Sequence, residues 1–341
     1  MLKKLIIPIV ILIIFVIAAL SWWFTGQKEE AGPQTSGLPM KVARSYWPGQ
    51  YSTEIADKKG WFQEAGLNVE LIDTNPDYFA SLQDMVDGKM DTNSFSLFDL
   101  ITFKLQGADL VMVVNTASSF GANSIVARQD IKTTLDLKGK RIGVSKNTYL
   151  EYILSIVLGG NQLTLDDVIA VNMPAEKAAE EFIKGTVDAI VTWEPFVTEA
   201  LQKGRGHKLF DTSEIPGILT EGLAFHRSFI EERPGDVQAF VHVWHKTIQF
   251  IKENPSEAFG IIAKIYNKTP DEVQAFAQSS RIYGLRENVT AFTYGAGFES
   301  LHGTARQINN FIIRQGITNK QLDSTKFLDA RFIRAIKWDV R

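Results

Sequence analysis

The stretch 45–73, SYWPGQYSTEIADKKGWFQEAGLNVELID, constrains this chain more than any other. A loop of polar and aromatic residues leads into a helical run, then a Gly turn, then an apolar strand. That is the build of one parallel β-α-β unit with a loop displayed at the end of its first strand. Loops at the C-terminal ends of parallel strands are where α/β folds hold small molecules, so the stretch points to ligand capture before any catalysis is invoked.

The same rhythm continues. Strands are expected at 40–45, 68–73 and 92–95, and a clearly apolar one at 110–114. Helices are expected at 52–64, at 78–87 with Leu82, Met85 and Val86 on one face and Gly88 as its stop, and at 97–106. From Asn123 the pattern starts again. Strands at 124–128, 141–145, 168–172 and 187–192 alternate with a helical turn at 134–137 and helices at 148–158 and 175–184. The segments DGKMDTNSF and KGTVDAIVTW share one plan: helix end, Gly, Asp, short strand. The repeat implies two similar α/β lobes, each expected to be a mostly parallel sheet with helices on both faces.

Beyond Glu221 the character changes. A strand-like GLAFH is followed by 227–232 and then by helical segments at 236–254, 256–266, 270–279 and 298–315, with Pro255 and Pro270 suited to first helical turns. Lacking its own strand set, this region should pack onto a lobe built earlier. The expected plan is 38–120 for the first part of lobe one, 121–222 for lobe two, and 223–341 for the return to lobe one with C-terminal helices.

The first 26 residues carry Lys3 and Lys4 and an apolar run from Leu5 to Phe24 broken only by Pro8 and Ser21, and QKEE follows them. This reads as a signal peptide or membrane anchor that exports the rest of the chain. The run matches the ~20 residues that span a bilayer, and Trp22 and Trp23 sit where an interfacial aromatic belt would lie, which favours a retained anchor. Residues 27–37 read as a short tether. The chain has no cysteine, so disulfides, a Cys-linked lipid and thiolate chemistry are excluded. Its net charge of −3, with no basic block outside the leader, excludes nucleic acid as a partner.

Five stretches, ADKKGWFQEAGLNVELID, LQDMVDGKMD, the strand entry at 107–114, LDLKGKRIGVSKNT and FIKGTVDAIVTWEPF, resemble the periplasmic solute-binding proteins of ABC importers. The group is the nitrate, sulfonate, taurine and thiamine-precursor binders, the NMT1 or SsuA-like family. The likeness covers residues 40 to about 196, with a looser helical match to about 314. It implies a two-lobed type II periplasmic-binding-protein fold, two crossing segments, and a cleft that closes on a small molecule for delivery to permease subunits. It also implies an exported monomer, periplasmic or at the cell surface, tethered to the cytoplasmic membrane by its N-terminal segment, with neither cofactor nor catalysis.

Candidate ligand residues sit at the strand ends. Ser45, Tyr46, Trp47 and Gln50 form the first loop, where Trp47 offers a broad apolar wall with one hydrogen-bonding edge or else packs the loop onto the core. Ser94, Phe95 and Ser96 turn into the next helix, where N–H groups and a hydroxyl could meet an anion, or where Ser96 simply caps. Ser119 and Asn123 lie at the expected first crossing. Asn147, Thr148 and Tyr149 occupy the matching loop of lobe two, with Thr148 also a plausible cap. Trp193 and Glu194 end a strand, and Glu194 is either a ligand carboxylate or a favourable charge at a helix start. Arg44 apart, no Arg stands in these loops to pair an oxyanion bidentately, which leans toward an organic ligand over a small inorganic anion.

Of the five histidines, His242 and His245 could share a helix face, but packing or surface roles are commoner there. With no H-E-x-x-H and no Cys, a zinc enzyme is excluded, and no G-x-S-x-G, P-loop or Rossmann fingerprint is present. The alternatives are a membrane-tethered ligand sensor of the same fold and a protein related to thiamine-pyrimidine synthesis.

Overall fold

A computed structural model describes residues 33–75 and 78–336. The expected leader at 1–26 and the first part of the tether lie outside the described residues. Among those described, no helix is long and apolar enough to cross a membrane. From Thr35 onward the chain forms one compact unit. The end of the tether is already docked: the Ser36 backbone N–H and hydroxyl donate to Asp236 at 2.7 and 2.5 Å, and Arg233 Nε donates to the same carboxylate at 2.6 Å.

Eleven strands are described: β1 (Pro39–Arg44), β2 (Asn68–Asp73), β3 (Thr92–Ser96), β4 (Leu110–Ser119), β5 (Asn123–Ala127), β6 (Arg141–Val144), β7 (Ile169–Asn172), β8 (Ala189–Trp193), β9 (His207–Asp211), β10 (Thr220–His226) and β11 (Ser280–Ile282). They make two sheets, ordered β2-β1-β3-β10-β4-β11 and β7-β6-β8-β5-β9. The first five positions of each share one pattern: second, first, third, arriving strand, fourth.

The expectation of mostly parallel sheets needs correction. β1 pairs in parallel with β2 and β3, and β6 with β7 and β8, but β10 is antiparallel to β3 and β4, and β5 to β8 and β9. The cause is the crossing itself. β1 to β4 all run toward one edge of the first sheet, and only residues 120–122 separate the end of β4 from the start of β5. A strand that enters at the edge where the others finish must run back from it. β10 repeats the manoeuvre on return, inserted between β3 and β4, and β11 adds a further antiparallel edge on β4.

Local chemistry accounts for most elements. β3, β4 and β5 are buried throughout, as strands covered on both faces must be, whereas the edge strands β2 and β7 are half exposed. The helix expected at 52–64 is two pieces, Tyr51–Lys58 and Trp61–Glu64, because Gly60 takes a left-handed conformation (φ 72°) that side chains resist. The 3-10 turn Pro48–Gln50 precedes them. In the last region the helices Pro234–Glu253, Pro255–Tyr266, Pro270–Gln278 and Leu301–Arg314 match the periodicity. Phe62 stacks on Phe240 at 5.3 Å, which seats the long helix against the first sheet's cover. A ring buried in this way stabilises by about 1.5–3 kcal/mol. Sequence patterning did not anticipate β9, β11 or the helices Phe196–Lys203, Leu285–Ala291 and Arg331–Arg334.

Candidate functional site

A cavity of about 900 Å³ opens where the strand ends of both sheets converge. That is a common size for a small-molecule site.

Its aromatic wall starts from the loop after β1. The Tyr46 N–H donates to Asn75 Oδ1 at 2.6 Å, and the Tyr46 ring lies 4.9 Å from Tyr266 and 5.2 Å from Phe276. Trp47 meets Phe276 edge to face at 5.5 Å and donates its indole N–H to Glu221 Oε1. Gly49 makes this approach possible: a Cβ there would lie 2.5 Å from Glu221 Oε1 and 3.1 Å from Thr116 Oγ1. Beneath the wall, Glu54 is fully buried, accepting from Tyr266 Oη at 2.5 Å and pairing with Arg44 Nε at 3.4 Å. Burial pushes its carboxyl above the ordinary value, and the Tyr266 bond and Arg44 charge pull it back only in part.

Glu221 and Phe276 were not anticipated from the sequence, and neither were Asn75, Tyr78, Asn93, Lys268 and Glu272, which also line the cavity. Glu221 could have been found: it is a lone acid at the opening of the strand TEGLAFH, just before its apolar stretch. Burial pushes its carboxyl up to about 8, against the lowering effect of the Trp47 N–H.

Ser45, Gln50, Ser94 and Ser96 line the same side of the cavity. Phe95 does not. Alternation along β3 turns it away into the core, where it meets Phe103 at 6.0 Å. Ser96 caps the helix Leu97–Leu105, accepting from the Asp99 N–H at 3.0 Å and donating to Asp99 Oδ2 at 2.6 Å. Tyr78 Oη donates to that carboxylate at 2.9 Å and accepts from the Ser96 N–H at 3.2 Å. The anion position expected at this turn is therefore already filled by a protein carboxylate. Burial pushes Asp99 up to about 6, although the bonds from Ser96 and Tyr78 lower it. Gln50 Oε1 and Ser94 Oγ are buried and find no hydrogen-bond partner among the described residues.

On the other side, Tyr149 lies 6.0 Å from Trp193, and both rings line the cavity. Asn147 and Thr148 do not line it. Thr148 caps the helix Tyr149–Gly159, accepting from the Leu150 N–H at 3.2 Å and donating to the Ser145 carbonyl at 2.8 Å. Asn147 is exposed in a left-handed turn (φ 60°), its N–H donated to Glu151 Oε2 at 2.8 Å. Glu194 takes both expected positions: it lines the cavity and accepts the Thr198 N–H at 3.1 Å at the start of Phe196–Lys203. Ser119 donates to Asn123 Oδ1 at 2.7 Å and lies 2.7 Å from Thr212 Oγ1, which stitches the two crossings together.

The lining carries three carboxyl side chains, Glu194, Glu221 and Glu272, against one ammonium, Lys268. Among the described residues no arginine lines it. No group of three or more His, Asp or Glu among those residues could hold a metal ion.

Two α/β sheets of matching order, joined twice at the edge where a cavity opens, define a periplasmic-binding-protein-like fold. The chain belongs to the NMT1/THI5-like family, whose model matches residues 51–258. It is 25% identical to a putative aliphatic sulfonates-binding protein of Bacillus subtilis (strain 168), over 82% of this chain and 83% of that one. The fold matches the crystal structure of the periplasmic aliphatic sulphonate binding protein SsuA from Escherichia coli, with a TM-score of 0.69 and 18% identity over 85% of this chain and 96% of that one. It also matches the desulfurization enzyme DSZB, with a TM-score of 0.62 and 15% identity over 87% and 97% of the two chains.

Proposed function

We propose that this chain is the extracytoplasmic solute-binding protein of an ABC importer, capturing a small organic solute between two lobes and delivering it to membrane permease subunits. The observation that carries the reading is the cavity of about 900 Å³ at the doubly crossed edge of two sheets. The ligand closes the lobes to the extent that the closed cleft adds contacts. Lobe one comprises 38–120 and 223–341, and lobe two 121–222. The protein is a monomer, held at the membrane or released from it according to the fate of residues 1–26. Ser45, Tyr46, Trp47, Gln50, Ser94, Ser96, Ser119, Asn123, Tyr149, Trp193 and Glu194 contact the solute, and their places along the cavity support that assignment. The sulfonate-binding and SsuA relatives support the transport role.

The DSZB likeness makes an enzyme the reading to test against. Thermal-shift screening of the purified full chain against a metabolite library, with mass spectrometry of each hit, separates them. Stabilisation by one solute class that is recovered unchanged is the expected result, because a ligand bound only to the native state raises its stability. Conversion of a hit to product overturns the importer reading.

A further inference from the structure

We propose that the cleft is built for a nitrogenous organic cation, an amidinium, guanidinium or ammonium group whose N–H bonds are accepted by Glu221 and Gln50 while its apolar body lies against Trp47 and Phe276. This rests on the solute-binding reading and specifies its substrate class.

An anionic head needs donors, and four of the strongest candidates lining this cavity are already committed. The Trp47 indole N–H goes to Glu221, the Ser96 hydroxyl and the Tyr78 hydroxyl go to Asp99, and the Ser119 hydroxyl goes to Asn123. Gln50 and Ser94 remain. Gln50 Oε1 is buried with no partner among the described residues, and Gln50 as a whole is only 5% exposed. Gly49, the residue before it, packs its backbone on the Glu221 carboxylate. Ser94 Oγ, likewise buried and unpartnered, can accept or donate. The formal charge of the lining is acidic, and rings from both sheets' loops enclose the space, which suits a cation further, since aromatic faces attract cations. A sulfonate, in contrast, would meet the Glu194 and Glu272 carboxylates, and Glu221 as well once it ionises, with Lys268 as its single opposite charge.

The cation and a proton compete for Glu221. Burial raises this carboxyl to about 8, so in the empty cleft it holds its proton at neutral pH. Binding a cation expels that proton, and affinity then rises about tenfold per pH unit up to that midpoint. Trp47 from the first loop donates to it and Tyr149 faces it across the cavity, while Glu194 just after β8, Lys268 just before the helix Pro270–Gln278 and Glu272 on that helix are the charged groups that line the same cavity. Asp99 titrates lower, at about 6, behind Tyr78 and Ser96.

Benzamidine, benzamide and benzenesulfonate present one ring with charges of opposite sign or none. Their Kd values for the purified full chain, measured by calorimetry across neutral pH, test the inference. The expected result is a benzamidine Kd at least about tenfold below that of benzamide, a benzenesulfonate Kd above both, and tightening for benzamidine alone as pH rises. Glu221→Gln keeps the size and the acceptor for Trp47, and it should remove both the preference and the pH dependence. The inference is overturned if benzenesulfonate binds tightest, if Glu221→Gln retains the benzamidine preference, or if none of the three binds. In the first two cases the solute-binding reading still stands, because a ligand occupies the cleft. That broader reading fails separately, when the metabolite screen yields no stabilising solute or yields a turned-over one.

Discussion

Replacing Tyr266 with Phe removes one oxygen from beneath the aromatic wall and nothing else. Its hydroxyl donates to Glu54 at 2.5 Å, Glu54 is fully buried, and the remaining partner is Arg44 at 3.4 Å. A hydrogen bond to a charged group is worth about 1.5–3 kcal/mol, so the loss should be about 2 kcal/mol where Glu54 is ionised. Unfolding entropy near 2.1 cal/mol/K per residue over about 300 residues converts that into a Tm fall of about 3 °C. The pH dependence comes from the sign of the shift. Burial raises the folded-state value of Glu54, so its proton-linked stability is present at low pH and is lost as pH rises through that value. Removing the Tyr266 donor, which lowers the value, raises it further. The penalty of Tyr266→Phe should therefore be larger at an alkaline pH, where Glu54 is ionised, than at an acidic one, where the native carboxyl has taken up its proton. Differential scanning calorimetry of both proteins at the two pH values measures it. A Tm fall that is absent at the higher pH, or equal at both, refutes the reasoning, since a pure packing loss carries no pH dependence.

Three further outcomes are expected in the cleft. Trp47→Ala and Glu194→Ala should each weaken the solute found by screening by about tenfold or more, with unchanged far-ultraviolet circular dichroism; normal binding by both folded variants would remove these residues from the site. Gly49→Ala places a methyl group 2.5 Å from Glu221 Oε1, so the carboxylate must swing away from Trp47. Indole fluorescence should shift and stability fall by about 1–3 kcal/mol, and an unchanged emission spectrum would show that the loop accommodates the methyl. Ser94→Ala removes a buried hydroxyl without a partner among the described residues, so the empty protein should melt at the same temperature or about 1–2 °C higher while solute binding weakens. A lower Tm with unchanged affinity would mean that the hydroxyl serves the fold.

Much of the fold was legible because its signals are local. Alternating helices and apolar runs place β1 to β3 and β6 to β8 to within a few residues and the start of β4, which runs on past 114 to Ser119, and Gly88 ends its helix where expected. The loop 45–50 and the strand end at Trp193 and Glu194 were readable as cavity edges for the same reason: strand ends can be located from the chain nearby. Ser94, Phe95 and Ser96 form one group in the sequence, but the two-residue period of a strand divides them, and Phe95 belongs to the core. Phe276 was hidden for another reason. It comes from a helix more than two hundred residues beyond Tyr46, and nothing in VQAFAQ distinguishes a wall residue from a packing one.

Glu221 shows what a topological rule adds to local pattern. Strands that run toward the shared edge present their last residues to the cavity, as Ser96 on β3, Ser119 on β4 and Trp193 on β8 do. A strand that arrives by a crossing starts at that edge, so it must present its first residues instead. Asn123 is the first residue of β5, and it lines the cavity. Glu221 is the second residue of β10, paired with Ser96 on one side and Ala117 on the other, and it does the same. The direction of β10 is set by where the chain must re-enter the sheet, and the identity of its residues does not reveal it. Once the return was inferred from the helical tail, the polar residues opening the strand TEGLAFH were the ones to place in the site. A lone carboxyl group there, beside the end of β3 and bonded by an indole, is the group on which the inferred preference for a cation rests.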